Sequence, residues 1–392
     1  MRRNSYFDKL STDYFFRRIS TSLRFFKKNN PDISIIDLSI GNPKEFPTSF
    51  VIDSICEHVR DRSASAAIIG YGPEEGHDFL RRKIADYIYT GSVGHQDIFV
   101  SDGAKCDIAR MQLLFGPGRT IVLSDPCYPV YRDIALIGGS NIITLPCLKE
   151  NNFIPEIEEL TGSDYIFYIC SPNNPIGNVW DYENLRKTVD FAVRTHSFII
   201  FDAVYSQFID SPDLPTSIYR IEGAERVAIE LNSFSKNAGF AGIRLGWSVV
   251  PSTLRYRTGE SVRDDWIRLL GSGFNGASVI SQIGGSAYFD EDKTVRTAAV
   301  KMYRENARIL KKAFESIGYN VFGGDHAPYL WIEYRDSHDI FDYFLKEYGI
   351  TVTPGEGFGV MGRGFFRVSA FVSRKEVETV VSRLTESALM SC

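Results

Sequence analysis

A chain of 392 residues, 44% hydrophobic and 24% charged, has the composition of an ordinary globular protein and the length for two domains. A net charge of −5 argues against nucleic acid or an anionic membrane as the main partner. Six dispersed cysteines without a CxxC pair, and six histidines without HExxH, outline neither a disulfide framework nor a zinc site, so no metal is expected.

The N-terminus, Met1-Arg2-Arg3-Asn4-Ser5-Tyr6, is basic but runs into charged residues, and no apolar run reaches the length of a membrane span. A reducing cytoplasm is the expected setting. Residues 13–30 read as an amphipathic helix, with Tyr14, Phe15, Ile19, Leu23 and Phe26 at helical spacing among Arg17, Arg18, Lys27 and Lys28. Ile33 to Ile40 reads as a strand closed by Gly41-Asn42-Pro43. This arm is expected to pack on the C-terminal part of the chain, because its strand needs a partner.

Between about 49 and 90, two helical patterns flank the glycine-rich loop Gly70-Tyr71-Gly72-Pro73-Glu74-Glu75-Gly76. The sequence then alternates. Ile98–Ser101, Thr120–Leu123, Ile142–Leu145, Tyr165–Cys170, Phe198–Phe201 and Arg226–Leu231 read as buried strands, with helices at 104–115, 131–137 and 181–194 between some of them. Continuously apolar strands alternating with helices predict a mostly parallel sheet covered on both faces. After Ser252 the pattern becomes α+β: helices at 261–270 and 278–317, the second broken near Gly284-Gly285, then short strands at 319–322, 329–334, 351–352 and 366–369, with helices at 338–348 and from Arg374.

Ligands in open α/β sheets bind beyond the carboxyl ends of the strands. The chemically unusual residues collect there: Asp102-Gly103-Ala104-Lys105, Asp125-Pro126-Cys127-Tyr128, Ser171-Pro172-Asn173-Asn174-Pro175, Asp202-Ala203-Val204-Tyr205 and Ser233-Phe234-Ser235-Lys236. Two GxGxxG matches, Gly271 to Gly276 and Gly357 to Gly362, lack the strand–helix setting a dinucleotide site requires: a helical stretch precedes the first and a strand follows the second. A nicotinamide-dependent dehydrogenase is therefore disfavoured.

Ser171-Pro172-Asn173-Asn174-Pro175-Ile176-Gly177, Phe201-Asp202-Ala203-Val204-Tyr205, Ser233-Phe234-Ser235-Lys236 with Arg244, and Phe366-Arg367-Val368-Ser369 resemble the fold type I, aspartate-aminotransferase-like enzymes that use pyridoxal 5′-phosphate. The order and spacing of these motifs match over nearly the whole chain. The resemblance implies an α/β fold in which a large domain with a mostly parallel, seven-stranded-type sheet lies between helices. A smaller α+β domain would be built from both chain ends. The implied division is 1–45 for an arm joining the small domain, 46–285 for the cofactor-binding domain and 286–392 for the small domain.

The implied roles match what the chemistry demands. Lys236 is the Schiff-base lysine and proton-transfer base. Asp202 pairs with the pyridine nitrogen, Asn174 and Tyr205 hydrogen-bond the ring oxygen, and Tyr128 stacks on the ring. Gly103, Ala104 and Lys105 at a helix start, with Ser233, Ser235 and Arg244, hold the phosphate. Arg367 grips the substrate α-carboxylate in bidentate fashion.

Gly70-Tyr71-Gly72-Pro73-Glu74, Ser101 to Lys105, Asp125 to Pro129, Phe240 to Trp247, Phe274 to Ser278 and His326 to Tyr329 resemble most closely the branch of that family acting on LL-2,6-diaminopimelate. That branch implies a homodimer with shared sites, in which Tyr71 and Asn275 reach across while Tyr14 and Gly41 close over the substrate. Lys105, Tyr128, Asn174 and Asn275 would touch substrate as well as cofactor, and Glu74 is the candidate for a distal ammonium. The implied substrates are small amino and 2-oxo acids, with 2-oxoglutarate and glutamate as one pair, in lysine or peptidoglycan-precursor synthesis. Ile176 where Thr is common, Val204 where Ala is common, and Asn237 after the lysine depart from the usual pattern and leave substrate breadth open. An aromatic, kynurenine-type or aspartate aminotransferase is the alternative within the fold. A non-catalytic regulatory or binding domain is the alternative outside it.

Overall fold

The computed structural model describes residues 1–10, 14–61, 70–335 and 339–390. The first helix occupies Phe15–Asn29, burying Ile19 and Leu23 and carrying Lys27 and Lys28 in its last turn. Residue 13, where its periodicity begins, lies outside the described residues, as does residue 338 at the start of a later predicted helix. Of the strand expected over Ile33–Ile40, only Ile36–Asp37 (β1) pairs, in parallel with Ile350–Thr351. The reason is local. Beyond Leu38 the backbone serves side chains instead of a ladder: Ser39 O accepts from Thr353 Oγ1 and from Arg367 Nη2, each at 2.6 Å.

β2 (Ile98–Ser101), β3 (Thr120–Asp125), β4 (Asn141–Pro146), β5 (Tyr165–Cys170), β6 (Phe198–Asp202), β7 (Ala228–Ser233) and β8 (Gly246–Val249) form one seven-stranded sheet. The order is β2-β8-β7-β6-β5-β3-β4, with β7, β6, β5, β3 and β4 parallel and β8 antiparallel to both neighbours. β5 and β6 are buried at every position, which is why their sequences are continuously apolar. β8 was not anticipated: Gly246-Trp247-Ser248-Val249 starts at a glycine and is too short for alternation to mark it. β7 begins two residues later than its apolar run, because Ala224–Arg226 closes as a 3-10 turn.

Strand alternation sorts the side chains onto two faces. Ile166, Tyr168, Cys170 and Ile200 pack with Ile108 and Met111 of the helix Ala104–Phe115. Phe167, Ile169, Ile199 and Phe201 pack with Leu185 and Val189 of the helix Tyr182–Thr195. Asp202, two residues after Ile200, therefore emerges on the first face, level with its β5 partner Cys170.

The break expected at Gly284-Gly285 is elsewhere. Both glycines lie inside the continuous helix Val279–Asp290, and the chain turns at Glu291 before Asp292 caps Lys293–Arg296 and Ala298–Ser316 follows. The glycines make room instead, for Ile55 and Leu245 packed against that helix. The boundary expected between 285 and 286 falls within it. β9 (Asn320–Gly323), β10 (Tyr329–Glu333), β11 (Ile350–Thr351), β12 (Thr353–Pro354) and β13 (Phe365–Ser369) follow. β12-β13-β10-β9 form an antiparallel sheet, while β11 takes β1. Its core joins Leu310, Phe314, Phe344, Phe366, Val368 and Val377 with Leu38 of the N-terminal arm.

Candidate active site

A cavity of about 440 Å³ opens at the carboxyl ends of β5, β6 and β7, and the N-terminal arm forms part of its wall. Its described lining is unbalanced in charge, with Lys105, Lys236, Arg244 and Arg367 facing one carboxylate, Asp202. Such a cavity suits a ligand with more than one negative group.

Lys236 stands three residues beyond β7 in a turn held by its own hydroxyls. Ser233 Oγ accepts from Ser235 N at 3.1 Å and donates to Leu245 O at 3.3 Å. Lys236 Nζ donates to Gly41 O at 2.6 Å, so the N-terminal arm reaches the lysine. Burial, and then the charge of Arg367, lower the lysine pKa to about 8, with Asp202 pulling the other way. Gly41 has to be glycine, since a Cβ there would overlap the Tyr329 hydroxyl.

Asp202 is buried at the end of β6. Tyr131 donates its hydroxyl to Oδ2 at 2.5 Å, and Val204 N donates to Oδ1 at 3.3 Å. Burial raises its pKa to about 6, and these two donors oppose the rise. At neutral pH it is largely the anion, aimed into the cavity.

One end of the cavity is built for an anion. Gly103 opens the helix Ala104–Phe115, whose first residues, Ala104 and Lys105, line the cavity and so put a helix N-terminus at this end. A Cβ on Gly103 would stand 2.5 Å from Arg244 Nη2, so only glycine lets the guanidinium lie against this helix start. Arg244 itself is held at φ +67°, an uncommon conformation for a side-chain-bearing residue, and donates Nη1 to Ser235 Oγ at 3.4 Å and to Ala241 O at 3.1 Å. Lys105 lies nearby, its pKa lowered by burial and by Arg244. Its amine sits 5.5 Å from the Tyr14 ring and 5.9 Å from the Tyr128 ring, two tyrosines that hydrogen-bond each other.

At the other end Arg367 is buried on β13. Its neighbours Phe366 and Val368 point into the C-terminal core, which turns Arg367 toward the cavity. Nη1 donates to Asn174 Oδ1 at 2.7 Å and Nη2 to Ser39 O at 2.6 Å, while Nε has no hydrogen-bond partner among the described residues. Tyr205, also in the lining, pairs its hydroxyl with that of Tyr329 at 2.8 Å.

Tyr71, Glu74 and Asn275 do not line the cavity of their own chain. Tyr71 is 90% exposed, and the loop bearing Asn275 packs on the loop bearing Tyr71 and Glu74, with the Gly276 backbone close against Pro73 O. Lining residues without a site role in the sequence reading include Phe16, Ile40, Tyr131 and Tyr329. Only Tyr131 had a local signal, one helical turn beyond Tyr128 and so on the same side of the helix Pro129–Ile137.

The sequence profile described as aminotransferase class I and II matches residues 33–384. The chain belongs to that aminotransferase family. It is 44% identical over 99% of its length to an LL-diaminopimelate aminotransferase of Chlamydia pneumoniae, covering 98% of that protein. It is 40% identical over 99% of its length to one of Protochlamydia amoebophila, again covering 98%. Among solved structures, the L,L-diaminopimelate aminotransferase of Chlamydomonas reinhardtii superposes with a TM-score of 0.92 at 40% identity, covering 99% of this chain and 98% of that one. Of the three departures from the family's usual pattern, Val204 alone lines the cavity of this aminotransferase. Ile176 packs with Trp331 and Phe358, and Asn237 donates Nδ2 to the Tyr288 hydroxyl at 3.4 Å.

Proposed function

We propose that this aminotransferase uses pyridoxal 5′-phosphate to interconvert LL-2,6-diaminopimelate and 2-oxoglutarate with tetrahydrodipicolinate, glutamate and water. The observation that carries the reading is the buried Lys236 amine, with a pKa near 8, set between an anion cradle and a buried arginine. Class I and II aminotransferases are pyridoxal-phosphate-dependent, and the donor set here fits that cofactor. The Gly103–Ala104 helix start with Lys105, Ser233, Ser235 and Arg244 would hold its phosphate. Asp202 would hold the proton of its ring nitrogen, Asn174 and Tyr205 its ring oxygen, and Tyr128 its face. Lys236 would hold it covalently. When bound, the cofactor supplies an electron sink that acidifies the α C–H of the amino acid.

The chain's own residues do the rest. Arg367 binds the α-carboxylate of each substrate in turn and fixes the Cα–H bond for reaction. Lys236, displaced by the substrate amine, takes the α-proton and returns a proton across the same face. Its lowered pKa leaves a useful fraction of the amine neutral near pH 7. Tyr14, Ile40 and Gly41 cover the lysine and exclude water during that transfer. The diaminopimelate assignment is supported by relatives of that name at 44% and 40% identity over nearly the full chain. Within it, Glu74 is proposed to meet the distal ammonium, in a cytoplasmic homodimer where the partner's Tyr71 and the partner's Asn275 complete each site.

The test is spectroscopic, then kinetic. Purified protein given pyridoxal phosphate should develop a pH-sensitive near-visible band that is absent in Lys236→Ala. A coupled assay over a panel of amino donors should then favour LL-diaminopimelate with 2-oxoglutarate. A protein that stays colourless sinks the cofactor assignment, and one inactive on LL-diaminopimelate but active on aromatic donors or aspartate sinks the substrate.

A further inference from the structure

The motif Gly357-Phe358-Gly359-Val360-Met361-Gly362 runs through two 3-10 turns into a strand and not into a helix, yet its glycines are each required. A Cβ on Gly357 would overlap the Phe15 ring, one on Gly359 the Asp125 carboxylate, and one on Gly362 the backbone of Gly355. Three elements therefore close on this loop: the N-terminal helix, the end of β3, and the loop's own return.

The contact with β3 is the most specific. Asp125 Oδ2 accepts from Val360 N at 3.2 Å, and Oδ1 accepts from Met361 N at 3.1 Å. Gly359 has φ +147°, which turns both amides toward the carboxylate. One residue pair further along, Cys127 N donates to Phe358 O at 2.9 Å. The strand end thus holds the loop by three hydrogen bonds, two of them charge-assisted.

What the loop carries explains the investment in it. The buried Phe358 ring lies under Arg367, 4.9 Å from the guanidinium carbon, and Tyr329 lies 4.6 Å away. The hydrogen bonds of Arg367 to Asn174 and Ser39 fix two of its nitrogens, while Nε has no partner among the described residues. The aromatic rings therefore set the plane of the guanidinium, and a bidentate grip on a carboxylate depends on that plane.

The geometry points to Asp125 as a positioning residue for substrate: by holding residues 358–361 it seats Phe358 beneath Arg367 and orients the guanidinium that receives the α-carboxylate. This rests on the proposed function, in which Arg367 grips that group. It also gives the Asp125-Pro126 motif a role separate from that of Tyr128 beside it.

The test compares holoenzymes of the wild type, Asp125→Ala, Asp125→Asn, Gly359→Ala and Phe358→Leu. Asp125→Ala, Gly359→Ala and Phe358→Leu should each raise KM for amino donor and oxo acid about tenfold, with kcat within about twofold of wild type. The cofactor absorbance should not change. Asp125→Asn, which keeps one acceptor and the side-chain volume, should give a smaller rise and decides the matter if the alanine variant does not fold. Unchanged KM values in a holoenzyme variant overturn the inference. So does a parallel loss of kcat and cofactor, which would mark Asp125 as a general stabiliser. A wild type that neither binds pyridoxal phosphate nor transaminates removes the proposed function itself, whereas an active wild type with silent variants removes only this role.

Discussion

Tyr131 donates its hydroxyl to Asp202 Oδ2 at 2.5 Å, and it supplies the only side-chain hydrogen bond to that carboxylate among the described residues. Burial lifts the aspartate to about 6, and the tyrosine keeps it from rising further. Tyr131→Phe removes the donor while keeping the ring, so the carboxylate pKa climbs toward neutrality and less of it is ionised at pH 7. Since an ionised Asp202 is what keeps the ring nitrogen protonated in the proposed reaction, kcat should fall about twofold at pH 7 and close to tenfold at about pH 5. The acid limb of the kcat–pH profile should move up by about one unit. An acid limb that stays in place would count against the pairing.

Lys236 sets a second pH dependence. Only the neutral amine attacks an aldehyde, and with the lysine pKa lowered to about 8 the neutral fraction rises through that pH. Stopped-flow capture of added pyridoxal phosphate by cofactor-free protein should therefore speed up from pH 6.5 and level off above about 9. Arg367→Gln removes the largest of the three charges that depress the lysine, so its pKa should rise and the midpoint move to higher pH. A midpoint unmoved by that change would mean that burial and the remaining charges, Lys105 and Arg244, set the value without Arg367.

Legibility in the sequence followed physical locality. β5 and β6 are buried on both faces, so their apolar runs mark them without context. β8 is a strand because β2 and β7 hold it from either side, and four residues starting at glycine carry no sign of that. Gly284-Gly285 looks like a break on propensity, but Ile55 and Leu245 need the space, and tertiary packing overrides the propensity. In the site, a strand end or an alternation with core residues singles out Asp202, Lys236 and Arg367. What they touch is another matter. Arg367 meets Asn174 across 193 positions and Tyr205 meets Tyr329 across 124, and no local pattern encodes such pairings.

Glu230, which is not among the residues lining the cavity, supplies a stability prediction. It is fully buried on β7 and accepts from Tyr89 Oη at 2.8 Å, Ser217 Oγ at 2.6 Å and Ile218 N at 3.1 Å. Burial nevertheless raises its pKa from 4.5 to about 7. Because the folded state holds the proton more tightly than the unfolded one, this contribution to stability is full below pH 4.5 and is lost as pH rises through about 7. Glu230→Gln does not titrate. The stability of wild type relative to Glu230→Gln should therefore decline by about 3 kcal/mol across that window. Paired denaturation curves between pH 4.5 and 8 measure it, and a difference that is flat with pH would refute the assignment.

The exposed loops bearing Tyr71 and Asn275 give the proposed shared site its sharpest test. If each site takes Lys236 from one chain and Tyr71 from the other, Lys236→Ala and Tyr71→Ala homodimers are both impaired, for different reasons. Refolded together, they form mixed dimers in which one site inherits both defects and the other inherits neither. With random pairing half the dimers are mixed and each carries one intact site, so activity should recover to about a quarter of wild type. The recovered activity should show the wild-type KM, because the restored site is wild type in composition. Titrating one variant against the other follows the recovery, and a mixture no more active than the sum of its parts would place Tyr71 outside the neighbouring site.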